Sequence, residues 1–208
     1  LEHSGFAAEY KEYVLIFDWY RGSLPEFDPQ KKIYVFASHS HYDHFNKKIF
    51  GWSEQYPDVR YILSADIAGK EQSERTAYVT ANKKYDFDGI KVQTLHSTDE
   101  GVAFIVYMED KVIYHAGDLN WWHWEEETES YNEQMRQDYQ REIDKLKDIV
   151  IDIAFVPLDP RQENQYAWGM DYFMKHTHTK YVFPMHMWGD YEVYDRLMEN
   201  PEAEPYKE

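Results

Sequence analysis

Short apolar runs separated by polar turns fill the first half of the chain, and this pattern predicts β-strands. Residues 3–20 are predicted to form two strands that turn at Tyr10–Glu12, and the second strand ends in the run YVLIFD. The run KKIYVFAS is long and apolar enough for a strand that is buried on both faces. The remaining predicted strands have the sequences VRYILSA, IKVQTLHS, VAFIVYM, KVIYHAGD, IAFVPLD and KYVFPMH.

A helical period appears in the second half of the chain. An apolar or aromatic residue recurs every three or four positions and predicts a long amphipathic helix, at Tyr131, Met135, Tyr139, Ile143, Leu146 and Val150. Shorter helices are predicted over residues 45–56, 167–176 and 191–199. Strands that first form hairpins and later alternate with helices predict an α/β fold, in which two sheets form a sandwich with helices outside.

The composition narrows the class of protein. A chain of 208 residues, 43% of them apolar, is expected to fold as one globular domain over residues 1–208. No apolar run approaches the roughly 20 residues that span a bilayer, and no signal-peptide pattern opens the chain. Because Leu1 lies inside a predicted strand, the sequence leaves undetermined whether a segment precedes it.

Charge and the lack of cysteine restrict the partners. The formal net charge of −17 disfavours nucleic acid and anionic membranes, because like charges repel. The sequence contains no cysteine, so a bound metal must be held by histidine and carboxylate side chains. A chain without disulfides fits a reducing compartment, and a cytoplasmic location is expected. The oligomeric state is left undetermined.

The segment SHSHYDHF, residues 38–45, gathers side chains that bind metals directly after an apolar strand. In an extended segment, residues two apart point the same way, so His39 and His41 can reach one ion together. Asp43 and His44 follow a turn, at the predicted start of the next helix, and suit a second ion close to the first. The alternative is a solvated histidine-rich loop.

Four further candidates come from elsewhere in the chain. Each lies at the carboxyl end of a predicted strand, where the sites of layered α/β folds collect, and these residues are Asp18, His96, Asp118 and His186. A single histidine after a strand is more often structural. Four such residues together with H-x-H-x-D-H predict a metal site.

These five motifs, in this order, resemble those of the metallo-β-lactamase superfamily. The segments HSGF, LHS, YHAGD and PMH resemble most the branch of small metal-dependent hydrolases that includes ascorbate-6-phosphate lactonase. The resemblance extends from residue 3 to residue 186. It implies an αβ/βα four-layer sandwich, with two mixed β-sheets in the middle and helices on the outer faces.

The resemblance also implies a role for each motif residue. The implied ligands are His39, His41 and His96 for a first metal, and Asp43, His44 and His186 for a second. Asp118 is expected to bridge both metals, and Asp18 to orient the ligands. Asp43 and Asp118 are the carboxylates expected to act in catalysis. Two divalent cations are implied, with zinc as the first choice and manganese or iron also compatible with such donors.

Other residues are candidates for contact with a small-molecule substrate. The segment LNWWHWEEE follows Asp118 directly, so Trp121 and Trp122 either wall the substrate cleft, with Trp188 opposite, or anchor the long helix in the core. In PLDPRQ, Asp159 and Arg161 either contact substrate or belong to a plain loop. The remaining histidines are expected to be structural or solvated, at positions His3, His115, His123, His176 and His178, with packing behind the metals as the alternative for His3.

The leading functional hypothesis is a dinuclear metal-dependent hydrolase. A hydroxide shared by two cations would cleave a lactone, ester, amide or phosphoester, and the fold does not choose among these bonds. A nuclease or phosphodiesterase is disfavoured by the charge of −17. The alternatives are an iron-dependent oxidoreductase of the same fold and a non-catalytic metal-binding scaffold.

Overall fold

The computed structural model describes residues 1–69 and 73–206. Its strands are β1 (Phe6–Tyr10), β2 (Tyr13–Phe17), β3 (Lys32–Ala37), β4 (Arg60–Ser64), β5 (Thr76–Val79), β6 (Lys84–Phe87), β7 (Ile90–His96), β8 (Val102–Met108), β9 (Lys111–His115), β10 (Val150–Pro157) and β11 (His178–Met185). Its α-helices are α1 (Glu129–Ile143), α2 (Trp168–His176) and α3 (Glu192–Glu199). The 3₁₀ helices are Lys47–Glu54, Ala65–Ile67, Asp144–Leu146, Pro160–Gln165 and Pro201–Tyr206.

The strands form two mixed sheets. The five-stranded sheet has the order β1-β2-β3-β4-β5, with β1 antiparallel to β2 and the other neighbours parallel. The six-stranded sheet has the order β11-β10-β9-β8-β7-β6. In it, β11, β10 and β9 run parallel, and the remaining pairs are antiparallel.

Side-chain alternation along the strands explains how these two sheets pack. In β2, Leu15 and Phe17 belong to the core between the sheets, whereas Val14 and Ile16 belong to a second apolar cluster outside the five-stranded sheet. That outer cluster includes Ile49 of the first 3₁₀ helix. A strand with apolar residues at every position therefore buries both of its faces.

The six-stranded sheet is covered in the same way. In β9, the His115 ring stacks on Phe17 of the opposite sheet, with 4.9 Å between centroids, while Tyr114 stacks on Phe173 of α2 at 5.3 Å. The layers are thus helix, sheet, sheet and helix. This arrangement confirms the predicted α/β sandwich of two mixed sheets with helices outside.

The structure differs from the sequence-based elements at three places. Strands β5 and β6 were not predicted, since both are short and only partly buried. The long helix ends at Ile143, well before the predicted end of its apolar stripe, and Val150 starts β10 with 57% of its surface exposed.

Among the described residues, no helix is both long and apolar enough to cross a membrane.

Candidate metal centre

The carboxyl ends of strands from both sheets meet at one edge of the sandwich. There Asp18 follows β2, the segment beginning at Ser38 follows β3, and His186 follows β11. A backbone hydrogen bond from Val102 N to Ser38 O, at 3.0 Å, ties the two sheets together at this edge. The site is therefore built on strand ends that the cores on either side hold in place.

Asp118 lies at the middle of this edge, in the turn after β9. One of its carboxylate oxygens, Oδ1, lies 3.1 Å from Nε2 of His44 and 3.2 Å from Nε2 of His186. The other oxygen, Oδ2, lies 3.6 Å from Nε2 of His39. A single carboxylate thus reaches two separate sets of imidazoles, as expected for a bridging residue.

Two groups of potential ligands surround Asp118. In each group the ligand atoms lie within 4.8 Å of one another, and the members are His39, His41 and Asp118 in the first group and His3, Asp43, His44 and His186 in the second. In the first group, His39 is buried, whereas the His41 side chain is 46% exposed. The second group is buried apart from a partly exposed His3 residue.

Asp43 and His44 reach the second group from a turn rather than from a helix. The backbone N–H of His44 donates to His41 O at 3.1 Å, and the 3₁₀ helix begins only at Lys47. The turn reverses the direction of the side chains after His41. The separation of the H-x-H pair from the following D-H pair into two groups agrees with the expectation from the motif.

His96 is the predicted ligand that the structure does not bring into either group. It is the last residue of β7 and is exposed, between the buried residues Leu95 and Ser97. Its backbone N–H donates to Oε2 of Glu142 on α1, at 3.0 Å. The strand thus ends beside α1, and the predicted third ligand of the first metal does not join His39, His41 and Asp118.

Asp99, which the sequence analysis did not select, lies beside the site instead. It lines a cavity of about 170 Å³ together with Asp118 and Thr98. Burial and the Asp118 carboxylate raise the pKa of Asp99 above its usual value, and the His41 ring opposes this shift. Its position after the strand, in S-T-D-E-G, is the only sequence signal that it offers.

Glycine is required where the loops of the site approach one another. Gly101 has a φ of +71°, and a β-carbon there would lie 1.9 Å from Ser38 O. Gly117 has a φ of +53°, and its β-carbon would lie 2.6 Å from that of Ser38. Both loops therefore pack directly on the segment that carries the H-x-H-x-D-H motif.

Asp18 orients this segment from behind, as the sequence analysis expected. It is fully buried and accepts hydrogen bonds from the backbone N–H and the hydroxyl of Ser38, both at 2.7 Å. Its Oδ2 also lies 2.7 Å from Nδ1 of His44. A carboxylate on Nδ1 fixes the ring orientation and leaves Nε2 facing Asp118.

Asp159 has the same relation to His186. Its buried Oδ2 lies 2.8 Å from Nδ1 of His186 and accepts a 3.3 Å hydrogen bond from Nε1 of Trp188. Nε of Arg161 donates to both carboxylate oxygens of Asp159, at 3.0 Å each. Asp159 thus links a potential metal ligand, His186, to the guanidinium of Arg161 at the mouth of the site.

The site attracts positive charge. Burial by itself would raise the pKa of Asp118, but the neighbouring His44 and His186 rings hold it well below its usual value. Burial also opposes ionisation of Asp43, yet His3 and His44 lower the pKa of that carboxyl to about 2. Conversely, burial lowers the pKa of His44, and Asp118 and Asp18 more than compensate, raising it well above its usual value.

The donor atoms fit divalent cations. Several are buried without a hydrogen-bond partner, namely Nε2 of His3, His39, His44 and His186 and Oδ1 of Asp118. Ligands about 2.0–2.1 Å from a tetrahedral zinc ion lie about 3.3–3.4 Å from one another. The separations of 3.1, 3.2, 3.4 and 3.6 Å among the ligand atoms bracket this value. All-nitrogen and oxygen donors also suit manganese and iron.

The tryptophans after Asp118 separate into two environments. Trp122 is 4% exposed, donates from Nε1 to Asp118 O at 3.0 Å and lies 5.6 Å from the His186 ring. Trp121 instead contacts Trp168 and lines another cavity, of about 880 Å³, beside α1. Trp188 covers the other side of the site, with its ring 5.6 Å from that of His186.

The remaining histidines also have definite places. His115, expected to be structural, is buried, with Nε2 2.8 Å from Ser4 O and Nδ1 accepting from Gly117 N. His3 was expected to be structural as well, but its ring faces Asp43 and His186. The motif HSGF was a signal for this position, because it formed part of the family resemblance.

Comparisons with known proteins show what the sequence and the fold resemble. No family model matches the chain. A protein of Desulforamulus reducens described as a UPF0173 metal-dependent hydrolase is 29% identical over an alignment of 136 residues, which covers 57% of this chain and 60% of that protein. The alignment therefore spans less than two thirds of that relative.

Solved structures resemble the chain over almost its whole length. A metallo-hydrolase from the archaeon Ignicoccus hospitalis matches with a TM-score of 0.65 and 15% identity, covering 97% of this chain and 90% of that one. A metallo-β-lactamase fold protein from Bacillus subtilis matches with a TM-score of 0.64 and 13% identity, covering 98% and 85%.

The chain has the metallo-β-lactamase fold, and the predicted resemblance to proteins of that fold and to metal-dependent hydrolases is confirmed. In this chain, two mixed sheets lie between outer helices, and histidines and aspartates lie near the strand ends. The narrower likeness to ascorbate-6-phosphate lactonase stays a prediction.

Proposed function

We propose that the chain is a metal-dependent hydrolase that acts on a small molecule at a pair of divalent cations. The observation that carries the proposal is the position of Asp118, whose two oxygens face two separate groups of histidines. The description of the relative from Desulforamulus reducens as a metal-dependent hydrolase supports the same class of activity. Zinc is the first candidate, and the donor set also allows manganese or iron.

The side chains of the site have distinct tasks in this proposal. Cations bound there would supply Lewis acidity and a water of lowered pKa. Asp118 and Asp43 provide the negative charge that holds such cations, because both stay ionised in the folded protein. Asp18 and Asp159 hold Nδ1 of His44 and His186, so that both rings present Nε2 to the site.

Asp99 is our candidate to complete the first group in place of His96. Within the described part of the chain, the first group has three potential ligands, and the Asp99 carboxylate shares a cavity with Asp118. The tight packing of Gly101 on Ser38 and His39 fixes the loop that carries Asp99 beside this group. A carboxylate there would preserve an all-nitrogen and oxygen site.

The surroundings of the cavity favour a substrate with a negatively charged group. Arg161 lines the cavity and is 45% exposed at its side chain, and its guanidinium lies 4.6 Å from the Trp188 ring. Its bonds to Asp159 hold the guanidinium plane in one orientation. Trp122 and Trp124 line the same cavity and offer apolar surface beside this cation. A small carboxylate or phosphate-bearing ester, lactone or amide would fit both features.

Metal analysis combined with an activity panel tests the proposed function. The purified protein should contain zinc, manganese or iron, and it should hydrolyse at least one class among lactones, esters, amides and phosphoesters. Asp118→Asn should abolish that activity because the variant loses the shared charge. A protein with iron that oxidises substrates would instead support the oxidoreductase alternative. A metal-loaded protein inactive on every class would support the scaffold alternative.

The role of Arg161 is tested once a substrate is known. Arg161→Ala should raise KM for an anionic substrate and leave KM for its neutral analogue unchanged. Arg161→Lys keeps the charge but not the planar two-pronged contact. Its KM for the anionic substrate should therefore lie between those of the wild type and of Arg161→Ala. Equal effects on anionic and neutral substrates would contradict a charge-recognition role.

A further inference from the structure

His3 occupies an unusual backbone conformation at the edge of the site. Its φ is +56°, a left-handed value that residues other than glycine adopt rarely. The N–H of Gly5 donates to Glu2 O at 2.9 Å and closes a turn around His3. The fold thus holds a non-glycine residue in a strained turn, and such outliers concentrate at functional positions.

The turn directs the His3 ring into the second group of ligands. Its side chain is 4% exposed, and the ring centroid lies 4.0 Å from that of His186 and 5.4 Å from that of His44. Trp188 packs on it at 4.5 Å, on the side towards the mouth of the cleft. A histidine from the beginning of the chain is therefore enclosed by residues from its middle and its end.

Hydrogen bonding does not account for this burial. Nε2 of His3 is buried and has no hydrogen-bond partner. Its approach to Oδ2 of Asp43, at 3.4 Å, is long for a charge-assisted hydrogen bond, which is typically about 2.7–2.9 Å. The same distance is the one expected between two ligands of a single tetrahedral ion, about 3.3–3.4 Å.

The two groups differ once His3 is included. Besides the shared Asp118, the second group has four potential protein ligands and little access to solvent, whereas the first has two, one of which is the half-exposed His41. Metal sites closed by four protein ligands are typical of structural ions, and sites with three protein ligands and an open position are typical of catalytic ions.

We propose that His3 is a fourth protein ligand of the second metal position besides the shared Asp118, which makes that position closed and tight and leaves the first position open and exchangeable. The inference rests on the proposed function, since it assumes a pair of cations. The residual alternative is that His3 only donates a hydrogen bond to Asp43.

Zinc binding to the purified full chain distinguishes metal ligation by His3 from a hydrogen bond between His3 and Asp43. The metal-free protein is titrated with zinc in competition with a chromophoric chelator, and bound zinc is counted by mass spectrometry. The variants are His3→Asn, which tolerates the left-handed backbone, and His3→Gln, which keeps a hydrogen-bond donor of similar reach. His178→Ala, an exposed histidine of β11, is the matched control. Circular dichroism and melting of each metal-free variant verify the fold.

The wild type and His178→Ala should bind one zinc much more tightly than the other. Both His3 variants should weaken the tight position by more than about 100-fold, the upper end for loss of an outer-shell partner, and should change the affinity of the weak position far less. A His3→Gln variant with wild-type affinity would overturn the ligand assignment in favour of hydrogen bonding. Tight binding that persists in His3→Asn would overturn it as well. A wild type that binds no divalent cation would overturn the proposed function itself. If the wild type binds zinc and only the predictions for the His3 variants fail, the proposed function stands and the role of His3 is overturned.

Discussion

Oδ2 of Asp159 lies 2.8 Å from Nδ1 of His186, in a position where the carboxylate is fully buried. This pair repeats at the second sheet what Asp18 and His44 form at the first. In both pairs, an aspartate behind the site fixes the imidazole that faces Asp118. The two sheets thus contribute equivalent carboxylate–histidine pairs to one centre.

Removal of the Asp159 carboxylate should weaken metal binding. Asp159→Ala should lower the zinc affinity of the second position by about 10–100-fold, the usual effect of losing such a partner. Asp159→Asn should have a smaller effect, because its amide oxygen can still accept from Nδ1. Asp171→Asn, which removes a carboxylate paired with Lys175 on α2, is the control. An Asp159→Ala protein that is folded and binds zinc as tightly as the wild type would contradict the positioning role.

Metal removal should destabilise the fold. Ionised carboxylates and buried imidazoles are gathered in one pocket, so a metal ion that binds there stabilises the folded state. At a free concentration of about 1,000 times its Kd, such a ligand adds about 4 kcal/mol to the free energy of unfolding. For a chain of this size each kcal/mol shifts Tm by about 2–4 °C, so a chelator should lower Tm by roughly 10 °C. The shift should be much smaller in Asp118→Ala. An unchanged Tm after verified metal removal from the wild type would contradict this prediction.

His96 and Asp99 should behave oppositely. His96→Ala should keep the wild-type zinc stoichiometry, because His96 lies outside both groups and, unlike Asp99, does not line the cavity with Asp118. Asp99→Asn should lose zinc from the weaker position. Asp58→Asn is the control, since Asp58 is an exposed aspartate that belongs to neither group and does not line the cavity. Loss of zinc from His96→Ala alone would restore the original assignment of the first position.

Trp121 and Trp122 should also be distinguishable. Trp122→Ala should cost about 3–5 kcal/mol, as expected for a buried aromatic residue. Trp122→Phe should cost only about 0.5–1.5 kcal/mol, for the hydrogen bond to Asp118 O. Trp121→Ala should leave KM and zinc binding unchanged, because Trp121 lines a different cavity. Thermal melting and kinetics on each variant provide the measurement, and a raised KM in Trp121→Ala would place that ring in the cleft.

Local patterns predicted most of the fold and much of the site. The H-x-H-x-D-H segment and the aspartates after β2 and β9 could be identified because strand ends in such folds meet at one edge. Strands β5 and β6 escaped prediction because their short, half-exposed sequences carry little apolar signal. The helix was extended too far because Val150 keeps the helical spacing although it begins a strand.

Two residues of the site depend on tertiary structure and could not be placed from the sequence. The sequence alone does not show that β7 ends beside α1, where the backbone N–H of His96 donates to Glu142 and the His96 ring stays outside both groups. His3 depends on a left-handed turn and on contacts with residues more than 180 positions away, such as His186. Neither the packing of the end of β7 beside α1 nor the left-handed turn at His3 produces a periodic pattern of apolar residues in the sequence.

The sharing of Asp118 between the two groups has a thermodynamic consequence. Each oxygen of this carboxylate faces a different group, so a cation in one position changes the charge that the other position experiences. Such coupling is reciprocal: whatever factor the first ion contributes to the affinity of the second, the second contributes to the first. The two ions would therefore form one linked equilibrium, in which the availability of metal sets how much of the protein carries the complete pair.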